Sequence, residues 1–257
     1  MSVLSKARKV FKRGGVHRLV SVLVSQYGLP IPLSAKFRHT DGLPSELGFW
    51  DAYFRTKGLQ WADSYGIRLD PDFPLQPRPA ALLPPQSEVH ILDVGAGPLT
   101  YLGKKTEGKQ INITAVDPLA LEYDNILSKY QVIPIIRTQK LAAEELTKRF
   151  PPNSFDLVFA RNCIDHSYDP QRAILQMIKV VKSGGYVLLE HTPNEADNEN
   201  YDGLHQWNFS MSANGHFLIG SRSKQVDITG KFAEHCTMTC EMVVDQGDWL
   251  ITRIRKR

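Results

Sequence analysis

A glycine-rich turn framed by two aspartates is the first feature of this sequence that can do chemistry. Residues 91–97 (ILDVGAG) end an apolar run in a glycine turn that includes Asp93. Glycines at the end of a strand let the backbone approach a ligand closely, with the start of a helix behind it. Asp117 ends the next apolar run, where a carboxylate can accept both hydroxyl hydrogens of a ribose. The pattern predicts a ligand that contains a ribose.

The same turn argues against a dinucleotide ligand. The dinucleotide-binding fingerprint needs a third glycine for close helix packing, whereas Thr100 occupies that part of this turn. Asp93 stands two positions before the first glycine, where its carboxylate would sit poorly beside a pyrophosphate. A carboxylate there suits a ligand that carries an ammonium and a sulfonium group.

Three histidines accompanied by carboxylates follow the fourth and fifth predicted strands. Ligands in open α/β sheets bind beyond the carboxyl ends of the strands, and a histidine beside a carboxylate is a suitable base at neutral pH. We therefore expect the proton of an acceptor hydroxyl to be removed here, with His166 as the first choice because Asp165 is adjacent. The predicted catalytic residues are His166, Asp165, His191 and His205.

These side chains also have other interpretations. His166 can cap a helix or pack beneath a ligand instead of moving a proton. Asp165, Glu190 and His191 together suit a divalent metal ion that polarises an acceptor diol. Their spacing fixes no ligand geometry, so we predict no set of metal ligands and leave the participation of a metal open.

The elements that must position these residues alternate between strand and helix from residue 88 onward. Near-continuous apolar strands alternating with helices indicate a parallel sheet covered on both faces. An amphipathic helix is expected over 170–182, and two strands around residues 245–248 (DQGD) read as a hairpin. The expected fold is α/β, a Rossmann-like mostly parallel sheet with an antiparallel C-terminal hairpin strand. Its predicted strands are 89–94, 111–116, 132–137, 155–160, 186–190, 237–244 and 249–255.

A helical N-terminal extension precedes this core. Residues 1–87 form the predicted extension, and residues 88–257 the core. Within the extension, residues 2–27 read as a basic amphipathic helix that can lie on a membrane or pack on the domain. Residues 45–66 read as an aromatic helix that can cover the ligand or pack on the sheet, and six prolines in 70–87 mark an irregular connector.

As an ordered set, these segments resemble the class I S-adenosylmethionine-dependent methyltransferases, in particular the small-molecule branch often called type 11. The resemblance covers roughly residues 88–192. The matching segments are 93–97 (DVGAG) as the first motif, 116–118 (VDP) as the ribose acid, 143–146 (AEEL) beside the adenine, 153–158 (NSFDLV) before the fourth strand and 182–186 (KSGGY) before the fifth.

The resemblance implies S-adenosylmethionine as the cofactor. Two departures from the family pattern concern affinity more than fold. Ala142 stands where an acid often meets the adenine amine, so that contact passes to Glu144 or to backbone, and Leu99 and Thr100 replace a frequent last glycine. The implied cofactor-binding residues are Asp93, Gly95, Ala96, Gly97, Asp117, Pro118, Ala143, Glu144 and Asn162.

Composition and charge bound the remaining possibilities. The chain has 257 residues, 42% of them apolar, with a formal net charge of +4. Its basic residues are concentrated at the two ends of the chain, and residues 1–40 contain no acid. This distribution favours contact of residues 1–27 with an anionic membrane surface, or a basic helix face that is simply solvated. No apolar run is long enough for a membrane span. Three cysteines suit reduced thiols, so we expect a cytoplasmic protein, at most peripheral at the inner membrane face.

The acceptor is the least determined part of the prediction. Aromatic, acidic and amide side chains after the fifth strand fit a hydroxylated small-molecule or glycan acceptor, so the first hypothesis is O-methylation of a sugar or glycan-like hydroxyl. The alternatives are a lipid-like or quinone-like acceptor at the membrane, and a cofactor-binding protein without turnover. No specific nucleic acid partner is expected, and the sequence does not fix the oligomeric state.

Overall fold

The fold is taken from a computed structural model that describes residues 35–59, 62–244 and 247–257. The helix expected over residues 2–27 lies outside this described part. Within it, no helix is both long enough and apolar enough to cross a lipid bilayer.

A seven-stranded sheet forms the centre of the protein. Its strand order is β3-β2-β1-β4-β5-β10-β9, parallel from β3 to β5, with β10 antiparallel to both of its neighbours. This confirms the expected Rossmann-like sheet with an antiparallel C-terminal hairpin. The strands are β1 (Glu88–Val94), β2 (Gln110–Asp117), β3 (Gln139–Lys140), β4 (Phe155–Arg161), β5 (Val181–His191), β9 (Cys236–Val244) and β10 (Asp248–Lys256).

The strand order explains where a ligand can bind. The chain runs outward from β1 through β2 to β3 and then returns to β4 on the other side of β1. Ligands of open α/β sheets bind at such a reversal, beyond the carboxyl ends of the strands. β4 is buried up to its last residue, and β1 is buried from Ile91 to its end. One face of these strands packs on the helix Pro170–Val180, and the other packs on Leu75 and Leu102. The reversal therefore places Asp93, at the end of β1, beside the loop that follows β4.

The prediction of a third strand at residues 132–137 is wrong, because the strand lies further along the chain. The structure has no regular element over 132–137 and forms the short strand at Gln139–Lys140, paired with Val116 and Asp117. Pro134 removes a donor from the backbone ladder. Ile133 also projects into solvent, 87% exposed. The apolar residues that suggested a strand are thus not core residues.

The fifth strand begins earlier than its apolar pattern indicates. The preceding helix ends at Val180 instead of residue 182, and the strand starts at Val181. Its register against β4 shifts between Phe155 and Leu157. The glycines of the Ser183–Gly185 turn are absorbed into this irregular first part of the strand.

The helices of the extension pack onto the core. α1 (Ala35–Arg55) begins earlier than expected and continues through Pro44. It buries Trp50 and Phe54 against α4 (Ala120–Lys129) in one apolar cluster. The aromatic segment is thus mainly a packing surface over the ends of β1 and β2. The other helices are α2 (Ala62–Leu69), α3 (Pro77–Ala80), α5 (Pro170–Val180), α6 (Glu195–Asn198) and α7 (Ile228–Lys231).

α5 illustrates how the local sequence sets an element boundary. Asp169 caps the helix by accepting a hydrogen bond of 3.0 Å from the Arg172 amide, and Pro170 occupies the first turn, where no amide donor is needed. Ile174 and Met177 are completely buried against the sheet. The amphipathic helix expected in this segment is therefore confirmed.

A second, three-stranded antiparallel sheet was not expected from the sequence. It comprises β6 (Asn208–Met211), β7 (Phe217–Gly220) and β8 (Gln225–Asp227). Phe209 and Phe217 anchor it in the main core. The sheet holds the end of the segment 192–207 that crosses the carboxyl edge of the main sheet and carries His205.

The close packing of α1 on the glycine turn gives a test of the fold. Gly97 and Gly108 both have left-handed backbones, with φ of +65° and +67°. A Cβ on Gly97 would lie 2.6 Å from Trp50 Cζ2, whereas one on Gly108 would meet nothing within 4 Å. Gly108→Ala should therefore cost only the backbone strain, about 1–2 kcal/mol. Gly97→Ala should cost about 1–3 kcal/mol more.

Thermal unfolding of the two single variants measures this difference. An additional loss of at least a few degrees in Tm is expected for Gly97→Ala. This additional loss should shrink when Gly97→Ala is compared with Gly97 in a Trp50→Ala background, although Trp50→Ala is itself destabilising. Equal shifts in Tm would show that α1 does not press on the turn.

Candidate active site

The glycine turn after β1 is held against β2 by its own backbone. Gly95 and Gly97 both adopt left-handed conformations, φ +68° and +65°. The amides of Gly95 and Ala96 donate to the Val116 carbonyl at 2.8 and 3.2 Å. A residue with a side chain would strain this turn, and Cys163 and Trp50 pack closely on Gly95 and Gly97.

Asp117 lies at the centre of the ligand side of this turn. Its carboxylate accepts hydrogen bonds from the Gly97 amide at 3.2 Å and the Leu119 amide at 2.9 Å. Burial raises the pKa of Asp117 to about 7, although both amide hydrogen bonds favour its charged form. Pro118 follows directly and starts the turn into α4. A carboxylate so buried is suited to accept hydroxyl hydrogens from a ligand that excludes water.

Asp93 occupies the other side of the turn. The Thr100 hydroxyl donates to its carboxylate at 2.5 Å, so the residue that replaces the third glycine has a structural role. Burial raises the pKa of Asp93 to about 6, opposed by the Thr100 hydrogen bond and the charge of Arg68. The Arg68 guanidinium donates to the Leu99 carbonyl and stacks over Trp50. Its Nε is buried without a hydrogen-bond partner. Sequence reasoning missed Arg68.

The two residues predicted to lie beside the adenine, Ala143 and Glu144, have different surroundings. Ala143 begins a 3-10 turn over Ala143–Lys148 at the edge of the crevice. The Glu144 carboxylate accepts a hydrogen bond from the Asp169 amide at 3.2 Å, at the start of α5. Thr138 donates its hydroxyl to the Gly97 carbonyl at 2.7 Å. It joins β3 to the glycine turn, and the sequence did not single it out.

Asn162 joins the two loops that face the glycine turn. Its amide donates to the Glu190 carbonyl at 2.8 Å, and its side-chain oxygen accepts from the Thr192 amide at 2.9 Å. Its backbone is left-handed, with φ of +46°. The next residue, Cys163, donates to the Val94 carbonyl and would meet any Cβ placed on Gly95. The loop after β4 is thus packed directly on the turn.

Two of the three predicted histidines meet Asp165 in this loop. We call Asp165, His166 and His205 the histidine–carboxylate cluster. His166 Nε2 lies 3.2 Å from His205 Nδ1, and these two nitrogens lie 3.3 and 3.5 Å from Asp165 Oδ2. Asp165 is 2% exposed. No described residue donates a hydrogen bond to either of its carboxylate oxygens.

Two further carboxylates flank the cluster, and sequence reasoning missed both. Glu46 of α1 lies 3.9 Å from His166 Nδ1, and Glu195 of α6 lies 3.9 Å from His205 Nδ1. Burial opposes protonation of His205, but its close contact with Asp165 and the charge of Glu195 raise the pKa of His205 above its usual value. Neither acid lies in a recognisable motif, and both come from segments that are distant in sequence from Asp165 and His166.

His191 has a different environment. Its Nε2 accepts a hydrogen bond of 3.2 Å from the Ile164 amide, and its ring packs on Phe209. Burial lowers the pKa of His191 to about 4. Glu190 turns away and forms an ion pair with Arg161. The structure thus places His191 behind Asp165 as a support, and it does not bring Glu190 into the cluster.

The cluster and the ribose acid belong to one site. The charges of Glu46 and His166 both act on the pKa of Asp117, and Cys163 bridges the glycine turn to Asp165 along the chain. Residues 92–189, which contain this turn and most of the cluster, match the family model described as "Methyltransferase domain". Residues 92–189 are thus a methyltransferase domain, and the protein is a methyltransferase. S-adenosylmethionine is its cofactor.

Solved structures of methyltransferases also resemble this one. An S-adenosylmethionine-dependent methyltransferase from Methanosarcina mazei is 15% identical, with coverage of 71% of this chain and 99% of that chain and a TM-score of 0.42. A phosphoethanolamine N-methyltransferase from Haemonchus contortus is 16% identical, with coverage of 79% and 59% and a TM-score of 0.46. No curated protein sequence matches this chain.

The position of Asp117 predicts how the methyltransferase responds to its loss. A carboxylate that accepts two ribose hydroxyls should contribute about 2–4 kcal/mol to cofactor binding. Asp117→Ala should therefore weaken the affinity for S-adenosylmethionine by roughly 30- to 1,000-fold. Calorimetric titration measures this directly, and unchanged affinity would remove Asp117 from the site.

The raised pKa of Asp117 also predicts a dependence on pH. The ribose hydroxyls need the charged carboxylate as acceptor, but the buried acid of the cofactor-free protein is protonated below about pH 7. The affinity of the unaltered protein should fall as the pH is lowered from 7 to 6, by at most about tenfold. Asp117→Asn should lack this part of the dependence, whereas Asp93→Asn should keep it. A parallel pH dependence in all three proteins would contradict the assignment.

Proposed function

We propose that this methyltransferase transfers its methyl group to a hydroxyl oxygen of a sugar or glycan-like acceptor, held at the histidine–carboxylate cluster. The observation that carries the proposal is a buried carboxylate, Asp165, facing two imidazoles beside the cofactor turn. A hydroxyl is a poor nucleophile while it keeps its proton. A group that binds the oxygen and removes the proton is therefore required, and the cluster supplies one.

Methyl transfer requires the nucleophile, the methyl carbon and the sulfur to lie in line. With the ribose on Asp117, the loops after β4 and β5 border the space beyond the cofactor. His166 and His205 face this space, whereas His191 is engaged with the Ile164 amide. This arrangement favours deprotonation at His166 and His205 over deprotonation at His191.

The polarity of the adjoining surface favours a hydroxylated acceptor over a lipid-like one. An open groove of ≈ 470 Å³ is lined by Asp197, Asn200, Tyr201 and Arg222. Arg222 stacks over the Tyr201 ring at 4.4 Å. Ring faces, amides and charged groups of this kind bind sugars by stacking and hydrogen bonding. The groove includes Asp197 of α6, the helix that also carries Glu195.

The proposal includes a cytoplasmic location with contact to anionic membranes. The three cysteines are unpaired, as suits a reducing compartment. Two of the basic residues at the end of the chain are engaged within the protein, since Arg253 pairs with Glu241 and Lys256 donates to the Val181 carbonyl. The proposed membrane contact is assigned to residues 1–27, which carry basic residues and no acid.

Vesicle sedimentation of the full-length protein tests the membrane contact. Cosedimentation with vesicles that contain anionic lipids is expected at low salt and should disappear in about 1 M salt, where charges are screened within about 3 Å. Neutral vesicles serve as the control. Absence of binding to anionic vesicles at low salt would exclude the contact.

Turnover with methyl-labelled cofactor tests the acceptor and the cluster together. Free sugars, sugar nucleotides and carbohydrate fractions serve as acceptors. His166→Ala and His205→Ala should each lower the turnover by roughly 10²–10⁴-fold, with little change in cofactor affinity. The matched control is His216→Ala, because His216 pairs with Asp227 at 2.8 Å on the exposed second sheet.

Two results would contradict this proposal. One is labelled product in which the methyl group is attached to nitrogen, carbon or sulfur. The other is near-normal turnover of both cluster variants, which would show that the acceptor loses its proton elsewhere or that no hydroxyl is involved.

A further inference from the structure

We propose that Asp165, His166 and His205 bind one divalent transition-metal ion. The distances within the cluster carry this proposal. Three potential ligand atoms, His166 Nε2, His205 Nδ1 and Asp165 Oδ2, form a triangle with sides of 3.2, 3.3 and 3.5 Å. All of them offer lone pairs and all lie within 4.8 Å of one another.

The size of this triangle fits one ion. Nitrogen and oxygen ligands about 2.1 Å from a metal ion lie about 3.0 Å apart in octahedral and about 3.4 Å apart in tetrahedral coordination. The observed sides of 3.2, 3.3 and 3.5 Å lie around the tetrahedral separation and above the octahedral one, so the three atoms match one face of a tetrahedron best. An ion placed over that face would reach all three atoms without a change of backbone.

The unsatisfied carboxylate is an independent indication of a ligand. Both Asp165 oxygens are buried, and no described residue donates a hydrogen bond to them. His166 and His205 lie 3.3 and 3.5 Å from Asp165 Oδ2 without forming a hydrogen bond to it, and a buried carboxylate that lacks hydrogen bonds is costly. The two imidazoles cannot both compensate it as cations, because one ring nitrogen must keep its lone pair when the two rings face each other at 3.2 Å. A metal ion would bind the carboxylate and both lone pairs at once.

The groups around the triangle fit a metal site as well. Metal-bound histidines usually present their other ring nitrogen to a carboxylate or carbonyl, which orients the ring. His166 Nδ1 faces Glu46 in this way, at 3.9 Å. Glu195 Oε2 is also buried without a hydrogen-bond partner, and this side chain lies near His205. Glu195 is thus placed to become a fourth ligand or to hold a metal-bound water.

The donor set indicates the class of metal. Two imidazoles and one carboxylate on a single face are the ligands of Zn²⁺, Fe²⁺, Co²⁺ and Mn²⁺, whereas Mg²⁺ and Ca²⁺ prefer oxygen ligands alone. The site inferred here differs from the one considered in the sequence, since it contains neither Glu190 nor His191. His191 Nε2 is occupied by the Ile164 amide.

The role of the ion in methyl transfer rests on the proposed function. Three ligands on one face leave other positions open, where a sugar hydroxyl or two neighbouring hydroxyls can bind. With the ion bound, His166 and His205 would act as its ligands and not as bases. The ion would lower the pKa of a bound hydroxyl, and the proton would pass to water. The oxygen then forms its bond to the methyl carbon as the carbon–sulfur bond breaks. The electron pair of that bond stays on sulfur, which leaves as a neutral thioether.

Metal titration of chelator-treated protein tests the site without any acceptor. Zn²⁺ in competition with a chromophoric chelator, and Co²⁺ followed by its visible absorption, should each show one ion per chain. Asp165→Asn and His205→Ala should weaken Zn²⁺ binding by 100-fold or more. Glu46→Gln should weaken it by roughly tenfold. His216→Ala is the matched control and should bind as the unaltered protein does.

Folding and function are separated from metal binding by two further readouts. Cofactor affinity and circular dichroism identify any variant that fails to fold, and His205→Gln replaces His205→Ala in that case, because His205 is partly exposed. Absence of stoichiometric binding, or binding unaffected by Asp165→Asn and by the His205 variants, would overturn the metal site. Stoichiometric binding without methylation of any hydroxyl would instead overturn the proposed function and leave the site in place.

Discussion

The left-handed turn at Gly95 and Gly97 is the constraint on which the rest of the site depends. Its backbone holds Asp117 through the Gly97 amide and is itself tied to the carbonyl of Val116. Trp50 closes one side of it, and Cys163 closes the other. Cys163 lies two residues before Asp165. The packing of Cys163 on the glycine turn therefore also fixes the position of Asp165 in the histidine–carboxylate cluster. A side chain on either glycine would disturb both halves of the site.

The arrangement of charge explains why the two halves work together. Asp93 and Asp117 flank the glycine turn, where we expect the cofactor, and Asp165 lies in the adjoining loop, flanked by Glu46 and Glu195. This concentration of carboxylates in a buried crevice favours a cationic ligand, such as the sulfonium of the cofactor. Methyl transfer removes that positive charge, so we expect the product to lose this part of the attraction. The buried acids therefore favour donor binding and product release alike, and their raised pKa values reflect the burial that gives them this effect.

Much of the sheet could be predicted from the sequence, because β1 and β4 are continuous apolar runs with turn residues at their ends. The short β3 could not, since Pro134 and the exposed Ile133 belong to a connection that only resembles a strand. Within the site, Asp165 and His166 are adjacent in sequence and follow a strong strand, so their place was predictable. Glu46 and Glu195 were not, because α1 and α6 bring them in from segments without a motif. The sequence could not show that His205, and not His191, joins the cluster. That outcome depends on the unexpected second sheet, which holds the segment that carries His205 across the carboxyl edge of the main sheet.

A crystal structure with S-adenosylhomocysteine bound would show whether the donor lies between the glycine turn and the histidine–carboxylate cluster. We expect both ribose hydroxyls to donate to Asp117, and the sulfur to face the side chains of His166 and His205 across a space large enough for a hydroxyl group. A ribose bound away from Asp117, or a sulfur that faces away from Asp165 and its two histidines, would contradict this expectation.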